Sequence, residues 1–447
     1  MNALLAALSL ALGISISYLV PDYGAGAVLA CAVLASAFGL VLYQIKDDSR
    51  FLLQIFVAGV LVRMVIGTVI FVFNLQEFFG GDAIAYDDYG YFQLLVWQGE
   101  TQYRALLSGS AGSTWGMNYM VAAVYACIGR NMLAIQFVNA VIGAATAPAI
   151  YMCARHIFQN SKVARGAAFF IAFYPSLVLW SSQGLKDAPV VLLLVLAMLA
   201  TLKLADKLSV KYFILLVSAL LSILSLRFYI FYMLVVAIGG TFVIGTRKVT
   251  QENFFRQFAI IAGAGLVMTY MGVMRTASTQ IDTFANLKQA QNSRFDQAIT
   301  GKSGYGRDVD VSTTSGALSA LPLGMIYLLF APFPWEVTNL RQGITLPEMI
   351  VWWASFPLLV LGLWFTLKYR LRQALPILIF TAMLTLGYAM FQGNVGTAYR
   401  QRAQLLVFYF IFVAVGFVLL WERREDSKRQ GQIAKQAALR GHSSQKV

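Results

Sequence analysis

The feature that most constrains this chain is the recurrence, along nearly its whole length, of apolar windows about 20 residues long, the length at which a helix crosses the hydrocarbon of a bilayer. Twelve such windows run approximately over 3–20, 24–44, 51–74, 133–153, 164–181, 188–205, 211–225, 228–245, 257–275, 347–367, 374–391 and 402–421. A soluble domain is excluded, because 59% of the residues are hydrophobic and only 12% charged, where soluble chains are about half apolar and about a quarter charged. The expected fold is therefore an all-α integral membrane protein with about 12 transmembrane helices, since a helix satisfies every backbone polar group within itself. The run from residue 3 leads through Pro21-Asp22 straight into a second one, which reads as an anchor rather than a cleaved leader.

Charge sets the expected topology. The net charge of +14 comes in short basic runs between apolar windows, which is the signature of a positive-inside membrane chain rather than of a nucleic-acid-binding patch. With the N-terminus inside, the connectors at Lys46 and Arg50, Arg155 to Arg165, Lys203 to Lys211, Arg247 to Arg256 and Lys368 to Arg372, together with the tail, hold 21 basic and 7 acidic residues. The other side is nearly balanced, so both termini are expected in the cytoplasm. The apolar run from Leu318 to Trp335 breaks this pattern if it crosses, and its Pro322, Pro332 and Pro334 mark a re-entrant or interfacial segment instead. The chain divides into a two-helix extension (1–50), a core (51–275) with a large outer loop (76–132), a second outer loop (276–317), a C-terminal transmembrane part (318–421) and a basic tail (422–447). The first loop, rich in aromatics, is expected to hold juxtamembrane surface helices. The second has the Gly, Ser and Thr content of a lid, and the tail is expected to lack fixed structure.

Cysteine and histidine chemistry carries little here. Cys31, Cys127 and Cys153 have unrelated spacings and His156 and His442 are the only histidines, so neither a disulfide framework nor a zinc site is indicated. No cofactor is firmly implied, and a divalent metal has no support in these residues.

Carboxylates and cations on the outer side are more informative. In Gly80-Gly81-Asp82-Ala83-Ile84-Ala85-Tyr86-Asp87-Asp88-Tyr89, a helix starting near Asp82 puts Tyr86 on the same face and turns Asp87 and Asp88 elsewhere. Asp82 is then either a general base positioned with Tyr86 or simply a helix cap. Between the fifth and sixth windows, Tyr174-Pro175-Ser176 is followed by Ser181-Ser182-Gln183-Gly184-Leu185-Lys186-Asp187-Ala188-Pro189. Asp187 suits a cap, whereas Lys186 suits a phosphate contact. Arg227, between two apolar windows, is either paired or snorkelling. Arg400 and Arg402 follow Gln392-Gly393-Asn394-Val395-Gly396, as a phosphate grip or as interfacial arginines of a tight turn. Arg275 and Arg341 complete the outer cations. Pro332-Phe333-Pro334-Trp335-Glu336 lines a lipid groove or anchors the interface. Arg63, inside a window, reads as a packing partner for a polar group. Asp308-Val309-Asp310 is discounted as a nucleotide-sugar motif, since no Rossmann-like domain accompanies it.

From Phe79 to about Leu199 the chain resembles the GT-C membrane glycosyltransferases, especially the branch of protein mannosyltransferases and lipid A aminoarabinose transferases. The resemblance lies in the order of Gly81, Asp82 and Tyr86 after a span, a later span ending in the basic connector Arg155-His156-Ile157-Phe158, and an outer loop from Pro175 to the second acid Asp187. It implies inverting transfer of a sugar from a polyprenyl-phosphate donor to a glycan, lipid or protein acceptor, with Asp82 as the catalytic aspartate and Tyr86, Lys186, Asp187, Arg227, Arg400 and Arg402 binding substrate. It also implies the outer face of a bacterial inner membrane. Two spans precede the one that carries the acid where the family usually has one, and Asp82-Ala83 stands where the family usually has Asp-Glu or Glu. The alternatives are a polysaccharide polymerase or O-antigen-ligase-like enzyme relying on arginines, and, third, a glycolipid transporter or flippase, which needs charges at mid-depth of which Arg63 is one of few.

Overall fold

The computed structural model describes residues 3–108, 115–244, 251–273, 286–300, 303–337 and 339–444. Among them the regular structure is helical: α1 (Ala3–Leu19), α2 (Gly24–Tyr43), α3 (Ser49–Val72), α4 (Asp82–Trp97), α5 (Arg104–Ser108), α6 (Trp115–Ile128), α7 (Met132–Phe158), α8 (Ser161–Phe173), α9 (Pro175–Ser181), α10 (Asp187–Asp206), α11 (Val210–Leu226), α12 (Phe228–Ile244), α13 (Gln251–Tyr270), α14 (Leu287–Thr300), α15 (Thr314–Phe330), α16 (Leu340–Tyr369), α17 (Leu371–Phe391) and α18 (Val395–Ser444). Seven described helices are long and apolar enough to cross a membrane, or eight if α8 and α9 form one bent span. The chain is a multi-pass membrane protein. The other four expected crossings fall on the shorter apolar helices α1, α11, α12 and α13.

Helix α7 is the hub, with 94% of its apolar window buried, whereas α2 has only 17% of its window buried and presents Leu29, Val33 and Leu40 outward. That contrast separates a protein-facing helix from a lipid-facing one. Close packing relies on small residues, as expected where lipid supplies no hydrophobic drive between helices. At the contact of α16 with α18, a Cβ at Gly362 would collide with the Phe412 carbonyl oxygen and one at Gly416 with that of Leu358. This pair of glycines lets the two backbones touch and fixes the register of α18.

The window expected at 164–181 is two helices meeting at 53°. Pro175, the first residue of α9, has no N–H to continue the ladder of α8. The carbonyls left over are taken up by Arg63: its guanidinium donates to Ala172 O at 2.8 Å, Ile171 O at 3.3 Å, Gly59 O at 3.0 Å and Ser181 Oγ at 2.7 Å. Arg63 is thus the polar packing partner expected from its position in a span.

Helix α15 covers most of the proline-rich run from Leu318 to Trp335. The chain enters it from Ser303 and Tyr305, which pair with Val395 and Gly393 at 2.9 Å, and leaves toward Arg341, which donates to Glu77 O at 3.0 Å. Both flanks therefore lie at the end of the bundle that carries Asp82. Its terminal carbonyls, orphaned as at any helix end, accept from Arg402 Nε (Leu328 O, 2.6 Å), Trp352 Nε1 (Leu329 O, 2.6 Å) and Trp353 Nε1 (Phe330 O, 3.1 Å).

The first outer loop is folded into α4, α5 and α6, with residues 109–114 outside the described set. The second loop lies partly outside the described residues; what is described forms α14 and a segment tied to the 393–395 turn. The tail departs from expectation. Helix α18 continues beyond the apolar stretch to Ser444, supported at its start by the Trp421 Nε1 to Glu425 bond of 2.6 Å and the Lys162 to Glu422 pair at 3.6 Å.

Candidate active site

Four helix ends meet at one end of the bundle. Gly80 and Gly81, at φ 130° and 76°, make a turn closed to residues with a Cβ and start α4 at Asp82. The loop before α10 is held by Asn139 of α7, whose amide donates to Gln183 O and Leu185 O, both at 2.7 Å. That grip presents Lys186 and then Asp187, the first residue of α10. A sharp break between α11 and α12 contributes Arg227, and the second turn of α18 contributes Arg400.

Asp187 is the centre of this constellation. Its side chain is 3% exposed, with Oδ1 accepting from Arg227 Nη2 at 2.7 Å and Oδ2 from Arg400 Nε at 2.8 Å, while Arg400 Nη2 makes an ion-pair contact with Oδ2 at 2.6 Å. Arg400 then reaches outward, and its Nη1 meets Asp82 Oδ2 at 2.5 Å. Asp82 is 49% exposed, so one acid is a buried anchor and the other faces solvent. The N-cap positions are Gly81 and Lys186, and the two acids are the first helical residues behind them, in a first turn where the helix dipole favours a carboxylate. Arg227 is paired rather than snorkelling. Its Nη1 donates to Tyr229 Oη at 2.8 Å, which lies 3.4 Å from Tyr388 Oη, and Tyr388 donates to Gln404 at 2.6 Å.

Tyr86 is buried beside Asp82, and Lys186 Nζ stands 5.9 Å from its ring centroid. Burial, reinforced by the Asp82 carboxylate, pushes the Tyr86 phenol well above its ordinary value, so it acts as a neutral wall. Burial and the neighbouring Arg227 charge push the Lys186 ammonium down to about 8. Trp180 floors the site, with the Arg400 guanidinium 5.7 Å from its ring, a cation–π contact.

Asp82, Tyr86, Lys186, Asp187, Arg227 and Arg400 therefore converge, and Arg402 does not. Arg402 is 2% exposed and its nitrogens are spent on the Leu328 and Ala331 carbonyls and the Met349 sulfur. Two residues further along α18 turn it away from Arg400, so its place is the end of α15 rather than the shared grip expected from the sequence. Arg341 lies apart over Phe78, 5.2 Å from the ring, and Arg275 is outside the described residues. Trp335, 79% exposed, stacks on Phe333 at 5.1 Å away from these contacts. Asp87 and Asp88 point elsewhere as expected, joined to Arg130.

The sequence reading missed Trp180, Tyr229, Tyr388 and Gln404. Their only signal is polarity inside apolar stretches, which interfacial aromatics share. Three cations against two carboxylates leave one positive charge for a substrate to answer, as an anion-binding site requires. Among the described residues no three carboxylate, imidazole or thiol groups converge as a metal site; Arg400 joins the two aspartates instead.

Residues 114–273 match the model of the dolichyl-phosphate-mannose-protein mannosyltransferase family. The matched stretch holds Lys186, Asp187 and Arg227, begins after Asp82 and ends before Arg400. No curated protein matches the chain. The mannosyltransferase family belongs to the GT-C superfamily, and the match, over about a third of the chain, supports the resemblance to GT-C membrane glycosyltransferases.

Proposed function

We propose that the chain transfers a sugar from a polyprenyl-phosphate donor to a hydroxyl of a glycan, lipid or protein acceptor, with inversion, at the outer face of the membrane. The observation that carries this reading is one solvent-facing carboxylate, Asp82, set against Lys186, Arg227 and Arg400 around the buried Asp187. Asp82 takes the proton of the acceptor hydroxyl. The acceptor oxygen bonds to the anomeric carbon from the face opposite the phosphate, and the carbon–oxygen bond to phosphate breaks, leaving its electron pair on the lipid phosphate. The three cations meet that charge. Because phosphate is already a good leaving group, stabilising it replaces the general acid that most glycosidases need.

The test is transfer of radiolabelled sugar from membrane polyprenyl-phosphate donors by purified protein. Asp82→Asn is expected to lose about 10²- to 10⁴-fold in kcat, the usual contribution of a positioned general base, at unchanged folding. If Asp82→Asn keeps full activity while Arg400→Lys abolishes it, Asp82 is no base and the arginine-based polymerase or ligase reading takes its place.

A further inference from the structure

Arg400 is divided unequally between two acids. It gives Nε and Nη2 to Asp187, 3% exposed, and only Nη1 to Asp82, 49% exposed. The buried contact is the one whose loss leaves an uncompensated charge, whereas a single contact at the water boundary is worth little. An incoming anion therefore takes the Nη1 arm and leaves the Asp187 anchor in place. The same arm occupies an oxygen of the carboxylate that serves as base under the reading above, on which this inference rests.

We propose that Arg400 is a donor-operated switch: the donor's phosphate draws Nη1 away from Asp82, so the carboxylate is released for the acceptor hydroxyl only when a lipid phosphate is in place. The exchange is balanced in charge, since the phosphate replaces the carboxylate as partner of the same guanidinium and no proton moves. Lys186 and Arg227 stand ready to hold the phosphate from the other side. Such coupling orders the reaction, donor before acceptor, and keeps the base occupied while no sugar is present to transfer. Arg400 is in this respect a positioning residue, acting on the acceptor through Asp82.

The experiment measures modification of Asp82 by a water-soluble carbodiimide and an amine, read by peptide mass spectrometry on the purified full chain. The added probe is a short-chain polyprenyl phosphate, which carries no sugar and permits no turnover. Asp88 is the internal control, being 45% exposed and paired with Arg130 at 2.6 Å. Expected is a rise of at least threefold in Asp82 modification on adding the lipid phosphate, with Asp88 unchanged. Arg400→Lys keeps a cation for Asp187 but cannot span both acids, so its Asp82 should react rapidly without lipid and show no further response. Thermal stabilisation of the wild type by the lipid phosphate reports binding separately. If the lipid stabilises the protein and Asp82 modification stays level or falls, the switch is overturned while the donor reading stands. If the lipid does not stabilise the protein at all, the donor reading fails and takes the switch with it.

Discussion

Asp187 holds two guanidinium groups from helices far apart in the chain, and it does so at 3% exposure. Replacing it with Asn removes the one anion between Arg227 and Arg400 and leaves two buried cations facing each other. Breaking a buried pair by removing one partner costs about 3–5 kcal/mol. Asp82 sits at the water boundary, where an ion pair contributes no more than about 1 kcal/mol. Asp187→Asn should therefore lower the melting temperature sharply and Asp82→Asn hardly at all, although both lose transfer activity; equal shifts in a thermal melt of the two purified variants would show that Asp187 is not the anchor. Lys186 gives a second test. Its ammonium is held down to about 8 in the folded chain against 10.5 for the free group, so the unfolded chain binds more protons between those values. Stability consequently rises with pH from about 8 to 10.5, while the positive charge offered to a phosphate is lost over the same window. KM for the donor should climb as pH passes about 8, and Lys186→Arg should stay flat from pH 7 to 9. A wild-type KM without that rise removes Lys186 from the phosphate site.

At the scale of elements, what the sequence makes legible is what depends on neighbours along the chain. Apolar windows placed at 188–205 and 374–391 correspond to α10 and α17 within about three residues, because continuous apolarity sets where a helix can sit in lipid. The pairing of Asp82 with Tyr86 follows from one helical turn and needs nothing more. The window at 164–181 hides the bend at Pro175, and it hides the repair as well, since the Arg63 that caps it lies 109 residues before Ala172. The same limit hides the site. Arg400 comes to Asp82 across 318 residues, and no periodicity or motif spans that distance. Arg227 was visible as a costly charge between two spans, yet the sequence left open whether it was paired, and the Tyr229, Tyr388 and Gln404 chain behind it looks like ordinary polar scatter in apolar helices. Arg400 and Arg402 look equivalent in sequence; a difference of two residues on a helix separates them by about 200°, which sends one to the acids and the other to the end of α15.

The whole molecule is polarised. One end gathers the starts of α4, α10 and α18, the α11–α12 break and both flanks of α15; the opposite end carries Arg155, Lys162, Arg165, Lys203 and Lys207 in the connectors after α7 and α10. Excess Lys and Arg in short connectors stays in the cytoplasm, so the charge distribution predicts the orientation that the proposed function requires, with the Asp82 end outside. An outward site has a chemical rationale as well, because a sugar carried on a lipid phosphate brings its leaving group through the bilayer with it. Orientation is open to direct measurement. In a background with Cys31, Cys127 and Cys153 replaced, Gln98→Cys lies at the exposed C-terminal end of α4 and Gln159→Cys at the exposed C-terminal end of α7. A membrane-impermeant maleimide applied to intact cells should label position 98 at once and position 159 only after permeabilisation. The reverse pattern would put Asp82 in the cytoplasm, where the donor would have to be used on the leaflet in which it is made, and the outer-face assignment would fall while the site's internal geometry kept its meaning.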